Sequence, residues 1–440
     1  MGFAQTIKNI WKIDDLRTRI LITVGFVAIY RFGSFVVLPG INPEQLVALQ
    51  ANASTGLLSL LDMFSGGAFA NASIFALGIM PYISASIVMQ LLGIAVPAFQ
   101  KMQREGERGR TKINQYTRYL TVLILLFQGP AYLYGAIGSA IPGGFWDWVL
   151  PSTVILAGGS MFVLWLGERI TDKGVGNGIS FIILIGIIAR LPHALVAEYD
   201  RLINAPGGLI LLLLELLFLV VVIAAAILLV QGVRKVPVQY AKRIVGNRQY
   251  GGVRQYIPLK VNAANVMPII FAQAIMFIPV TIAQFSVREG GGFWASLMDF
   301  TSFWYNFIFA MLIIAFTYFY TAITVNPVQM AEDLKRNNGF IPGVKPGKRT
   351  AEYIDTIMSR ITLPGSFFLA MVAILPAFAG LMGVNSQFAQ FFGGTSLLIL
   401  VGVVLDTLQQ IESHLLMRHY DGFLKSGAKI KGRTGSVAAY

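Results

Sequence analysis

LLSLLDMFSGGAFANASIFALGIMPYISASIVMQLLGIAV, running from Leu57 to Val96, is the stretch whose reading decides the fold. One helix of about 20 apolar residues crosses a bilayer, and this apolar run is far longer. Ser65-Gly66-Gly67 and Asn71 break its first third. Leu57 to Phe64 is too short to span, whereas Ala72 to Val96 is long enough and is predicted as one crossing helix. A short apolar helix that enters a membrane and turns back survives only inside protein or against a water-filled cavity, because lipid cannot satisfy open backbone. The stretch therefore points to a bundle with a hole and something seated in the hole. A helix lying flat in the interface before an ordinary span fits the same pattern.

Composition extends the reading to the whole chain. Of 440 residues, 55% are hydrophobic and only 12% charged, with a mean hydropathy of +0.67. Soluble domains carry about 25% charged residues, so this is a polytopic membrane protein. Cysteine is absent, which excludes disulfides. Hydrophobic runs predict ten spans, near 20–38, 72–95, 117–137, 149–168, 177–193, 207–231, 264–285, 303–325, 361–383 and 394–416. The expected fold class is all-α, with ten transmembrane helices in two pseudo-symmetric five-helix halves, 1–203 and 204–440, around a central plugged pore. The division into halves rests on counting, since no sequence repeat joins them.

Charge orients the bundle. The chain has 34 lysines and arginines. Thirty fall in the N-terminal segment, in alternate loops and in the tail, and three (Arg190, Arg201 and Arg288) fall in the opposite loops. Cytoplasmic loops collect Lys and Arg, so both termini are expected in the cytoplasm. Two of the cytoplasmic loops, 232–262 and 326–360, are longer than a connection requires. The first holds seven basic residues and no acidic one. Anionic or acidic partners are the natural reading of such a surface.

Catalytic chemistry is missing. There is no H-E-x-x-H pair and no Walker A loop, and the histidines number three: His193, His414 and His419. Neither an enzyme nor a cofactor is expected. Arg31, Glu215 and Asp406 fall within spans, where ionisable groups are costly and functional by default. Glu215 lies near the outer end of its span, within reach of the headgroups. Arg31 and Asp406 are expected to face protein. An ion-coupled secondary transporter is the alternative to a channel; it needs a closed midplane site and defined ion ligands.

Seven stretches, in order along the chain, resemble the SecY family, the pore subunits of the bacterial protein-conducting channel. They are FSGGAFANASIFALGIMPYISASIVMQLL (64–92), EGERGRTKINQYTRY (105–119), WLGERITDKGVGNGISFII (165–183), PVQYAKRIVGNRQYGG (237–252), YIPLKVNAANVMPIIFAQ (256–273), FIPGVKPGKRTAEYID (340–355) and GGTSLLI (393–399). The resemblance implies that the broken helix is a plug, near 57–70, formed by Leu57, Leu60, Leu61, Phe64, Ser65, Gly66, Gly67 and Phe69. It implies an apolar constriction of Ile79 and Ile83 from span two, Ile183 from span five, Ile270 from span seven and Ile399 from span ten. A ring of branched alkyl groups holds water poorly and gates by dewetting. Small residues at Gly66, Gly67 and Ala68 are expected to let the plug pack closely and move.

The same resemblance implies a clamshell opening sideways between spans two–three and seven–eight, with Gln90, Gln128 and Asn265 as polar residues of that lateral gate. It implies a docking platform for the motor SecA or the ribosome, with Arg243, Arg248, Lys345, Lys348 and Arg349 as contacts. The family usually has arginine in P-G-x-R-P-G; Lys345 stands there, keeping the charge without the bidentate fork. Implied partners are the small membrane subunits SecE and SecG, signal sequences, unfolded polypeptides and membrane lipids. The implied location is the bacterial plasma membrane.

Overall fold

The computed structural model of the chain describes residues 11, 13–41, 62–137, 143–203, 208–240, 243–245, 248–250, 254–264, 266–286, 299 and 301–425. Helices dominate them. In chain order they are α1 (Asp14–Gly33), α2 (Met80–Ala95), α3 (Pro97–Arg104), α4 (Glu107–Tyr132), α5 (Leu150–Lys173), α6 (Gly178–Ile203), α7 (Gly208–Gln231), α8 (Met267–Ser286), α9 (Phe303–Thr324), α10 (Pro327–Arg336), α11 (Lys348–Leu381), α12 (Ser386–Ala389) and α13 (Gly394–Lys425). Six helices among the described residues are long and apolar enough to cross a membrane, or seven when the bent pair α2–α3 counts as one crossing. The clearest is α7, which is apolar all round. A helix of that kind is buried on every side, in core or in lipid. Here Leu209, Ile210, Leu213, Leu214 and Leu217 are exposed on the bundle's outer surface. A helix also underlies α1 and α4, whose first turns carry Asp14, Asp15 and Arg17 or Glu107, Arg108 and Arg110. Those charges keep both below the apolarity of the others.

Span two departs from its expected form. The helix begins at Met80, not at Ala72. Residues 65–79 run as successive turns, with Gly66, Gly67, Ala72 and Gly78 at positive φ. At 16 residues α2 rises only about 24 Å, short of a hydrocarbon core of about 30 Å. The turns supply the missing depth, and they are buried in protein, as irregular backbone at membrane depth must be. Beyond α2 the chain bends by 103° into α3.

Buried side chains sort the helices into groups. One cluster draws on α7, α8, α9, α11 and α13: Val222, Ala226, Ile269, Phe309, Ile313, Leu369 and Leu398 belong to it. Two others lie wholly between residues 26 and 182, around Tyr30, Phe75, Leu133, Leu156 and Leu166. A further cluster mixes the two sets. In it Met63, Ile183, Leu184 and Ile187 meet Phe388, Phe391, Phe392 and Ile399. Along its margins α2 packs against α8, and α6 packs against α7 and α13.

The segment 232–262 is not only a turn-rich loop. β1 (Val233–Tyr240) pairs antiparallel with β4 (Arg254–Lys260), from Val233 opposite Lys260 to Gln239 opposite Arg254. β5 (Gly339–Phe340), from the other long loop, adds to the free edge of β1, with Tyr240 opposite Gly339. Between them β2 (Arg243–Val245) and β3 (Arg248–Tyr250) form a separate hairpin. Val236, Val238 and Leu259 on the sheet pack against Leu334, Ile341, Ile354 and Met358. The two long loops are thus one folded unit. Their alternating apolar residues form a sheet face that α10 and the start of α11 cover.

Candidate functional site

The mixed cluster holds the start of the broken segment, Met63 and Phe64, while the apolar residues from Ala68 to Ile79 belong to the two clusters of the N-terminal set. Asp62, Met63 and Phe64 are helical, and Met63 is buried against α6 and the α12 region. From Ser65 onward the chain turns, so its carbonyls and amides need partners from elsewhere. They find them in four directions. Tyr30 of α1 donates its hydroxyl to the Ser65 carbonyl at 3.0 Å, and Arg31 donates Nη1 to the Gly66 carbonyl at 2.6 Å. Tyr132 at the end of α4 donates to the Phe69 carbonyl at 2.8 Å. The chain after α1 pairs with the segment directly: the Leu38 amide donates to Ala72 at 2.9 Å and the Ile74 amide to Val36 at 3.0 Å. Within the segment, Ser65 Oγ accepts from the Phe69 amide, and Asp62 Oδ1 accepts from the Ala70 amide. The other Asp62 oxygen pairs with Arg190 of α6.

Small residues allow these approaches. A Cβ on Gly186 of α6 would lie 2.9 Å from the Phe64 carbonyl oxygen and 3.2 Å from the Gly66 nitrogen. Gly66 itself sits at φ +66, which favours glycine. The glycines bring the segment close to its neighbours, as their size led one to expect. Tyr30, Arg31 and Tyr132 hold its backbone carbonyls, and Arg190 holds its Asp62 carboxylate.

Ile183 and Ile399 are buried in the mixed cluster, and Ile83 and Ile270 pack at its edge beside Phe64. Ile79 is buried in the neighbouring cluster with Tyr30, Ala68 and Phe75, which Ile83 also touches. Ile79 is the N-cap of α2, and its carbonyl accepts from the Ile83 amide at 3.1 Å. Four of the five isoleucines therefore belong to one cluster that also holds Met63 and Phe64, and the fifth sits one turn away. Beside the segment opens a cavity of about 420 Å³, lined among others by Arg31, Asp62, Gly66, Arg190, His193 and Gln387.

Other candidates fare differently. Leu57, Leu60, Leu61 and Asn265 lie outside the described residues. Gln90 and Gln128 are half-buried on α2 and α4, and the Gln90 amide donates to Ser86 Oγ on its own helix at 3.2 Å. Arg243 and Arg248 stand opposite Tyr250 and Val245 in the β2–β3 hairpin. Lys345, Lys348 and Arg349 are exposed, and the Lys345 carbonyl accepts from Thr350 Oγ1 at 3.0 Å.

Two charged residues correct the sequence reading. Asp406 does not face protein: it is exposed, beyond Val403, the last buried side chain of α13 in the mixed cluster. Glu215 does not reach out of the bundle. It is 6% exposed, 3.5 Å from Arg201. Arg201 also pairs with Glu198, which is fully buried and accepts from the Asn385 amide at 2.9 Å. Asp62, Tyr30 and Tyr132 were not singled out from sequence, and Arg190 and Arg201, expected in a loop, lie within α6. An aspartate inside an otherwise apolar run and an arginine within a helix were the available signals.

The matched family model is SecY, over residues 73–408. The protein translocase subunit SecY of Mycobacterium tuberculosis H37Rv is 41% identical over 435 residues, covering 93% of this chain and 97% of that one. Two solved structures share the fold at low identity. One reports that the plug domain of SecY stabilises the closed state of the translocation channel, with TM-score 0.63 and 15% identity, over 98% of this chain and 100% of that one. The other is Sec61 in a canine ribosome–channel complex, with TM-score 0.60, 14% identity and the same coverage. With a family model spanning most of its length and a relative above 40% identity end to end, the chain belongs to the SecY family.

Proposed function

We infer that this chain is the pore subunit of a protein translocase, passing unfolded polypeptides across a membrane and releasing membrane-protein segments sideways into lipid. The carrying observation is the broken segment 62–79, whose first residues Met63 and Phe64 lie in the cluster where two sets of helices meet, in a chain whose full-length relatives are translocase subunits. Such a segment closes a conduit between the two sets. The isoleucines Ile79, Ile83, Ile183, Ile270 and Ile399 form the constriction, and Met63 with Phe64 caps it. Apolar walls of this kind offer a passing chain no hydrogen bonds that would hold it.

The finer reading follows the same line. All ten helical stretches are spans, in halves 1–203 and 204–440, and the confinement of the outer clusters to one set or the other supports this. Both termini and the sheet unit face the cytoplasm, supported by the distribution of Lys and Arg. The membrane is the bacterial plasma membrane. SecE and SecG complete the complex, and SecA or a ribosome docks on the sheet unit through Arg243, Arg248, Lys345, Lys348 and Arg349. The contact of α2 with α8 is the lateral gate, with Gln90, Gln128 and Asn265 along it. The test is reconstitution with SecE into vesicles, comparing transit of a preprotein with uptake of small solutes. Preprotein transit without coupled solute uptake is expected; the reverse would restore the ion-coupled transporter reading.

A further inference from the structure

The polar and apolar contacts of the broken segment divide between the two helix sets. Among the described residues, hydrogen bonds and an ion pair reach it from Tyr30, Arg31, Val36, Leu38, Tyr132 and Arg190, on the N-terminal side. What the C-terminal side offers Met63 and Phe64 is mainly apolar: Phe388, Phe391, Phe392 and Ile399 share their cluster, and the polar side chains there, Gln387 and Gln390, are uncharged and line the space beside Asp62 and Met63. Apolar surfaces part without leaving a hydrogen-bonding group unpaired, whereas a buried charge stripped of its partner is strongly penalised. The two sides therefore hold the segment in different ways.

We propose that Asp62 and Arg190 form an ionic latch that fastens the plug to the N-terminal helices, so that parting of the two sets first strips the plug of its apolar cover and the plug leaves only when this pair breaks. The reading rests on the plugged-channel function given above. Geometry supports the latch at both ends. The Asp62 carboxylate is fixed from behind, because its second oxygen accepts from the Ala70 amide at 2.8 Å. The Arg190 guanidinium lies over Gly67, whose missing Cβ leaves room for it: a Cβ there would stand 3.1 Å from Nη2. Arg31 closes the other side through the Gly66 carbonyl. Both members of the pair line the 420 Å³ cavity. Water reaching that cavity hydrates the separating charges, so the pair can open without a fully dry intermediate. A latch wholly in the apolar cluster would lack that route.

A double-mutant cycle tests this. Asp62→Asn keeps an oxygen for the Ala70 amide and removes the charge. Arg190→Met removes the cation at similar volume. Idle conductance of the reconstituted complex is measured in planar bilayers for each single variant and for the double, with preprotein transit recorded on the same preparations. Each single variant should raise idle conductance about tenfold, equivalent to about 1.4 kcal/mol, and the double should leak no more than either single. Arg190→Lys, which keeps a cation, should leak less than Arg190→Met. Transit in all variants should be at least as fast as in the unchanged chain. Unchanged idle conductance in Asp62→Asn, or effects of the two singles that add in the double, would overturn the latch while transit persists. Loss of transit in the unchanged chain would instead overturn the channel reading on which the latch rests.

Discussion

Gly186 shows how much of the closed state depends on single atoms. Its Cα faces the plug backbone with no room for a side chain. Gly186→Val should therefore push Phe64 and Gly66 off α6 and raise idle conductance, with assembly intact. Planar-bilayer recording against a control at Gly158, where a Cβ would meet nothing within 4 Å, checks this; a Gly186→Val channel as tight as the control would remove the close-packing argument. At this scale the sequence was partly legible. The glycine pair at 66–67 marked a break, because glycine is where a chain turns with φ above zero. Arg31 was legible as an in-span charge facing protein, but its partner and the roles of Tyr30, Tyr132 and Arg190 were not, since each contact spans more than 30 positions along the chain. Glu215 was misplaced for the same reason. Position within a span suggested an escape to the surface, but Arg201 arrives from the preceding helix. A buried carboxylate with a paired arginine is tolerated where a lone one is not.

Among the elements, the sheet unit joins two loops that the sequence presented separately. The run of cationic residues without an acid was plain. That β5 would complete the β4–β1 sheet was not, because a two-residue strand has no periodicity of its own. The alternation Val236, Val238 was the only signal, and it is short. Charge reversal of Arg243 and Arg248 to Glu should weaken binding of the motor or ribosome by about tenfold at low salt, and the difference should shrink as salt rises, since the screening length falls to about 8 Å at physiological ionic strength. The sheet itself should survive, because its buried face is Val236, Val238 and Leu259. Cosedimentation across a salt series is the measurement, and equal binding by the reversed hairpin would move the docking site elsewhere. Span two carries the same lesson about reach. Its apolarity ran on to Ala72, but the helix stops at Met80 because Gly78 and the paired strand Val36–Leu38 take the backbone into turns.

For the whole molecule, the central claim is that two helix sets enclose a conduit and the segment after Leu57 closes it. Hydrophobic runs pointed to an all-helical membrane bundle, of which six or seven helices among the described residues are long and apolar enough to cross, and the seven motifs named, by resemblance, the residues proposed to line the conduit. The mixed cluster holds Ile83, Ile183, Ile270 and Ile399 together with Met63 and Phe64, so removing the segment should uncover that cluster without touching the helices behind it. The most direct test is the idle ion conductance of the complex reconstituted in planar bilayers, with and without residues Leu57–Phe69, each followed by addition of a preprotein that stalls in transit. The complete chain should be tight when idle, the shortened chain should leak, and both should conduct a preprotein. A complete chain that leaks as freely as the shortened one, or a shortened chain that stays tight, would contradict the central claim.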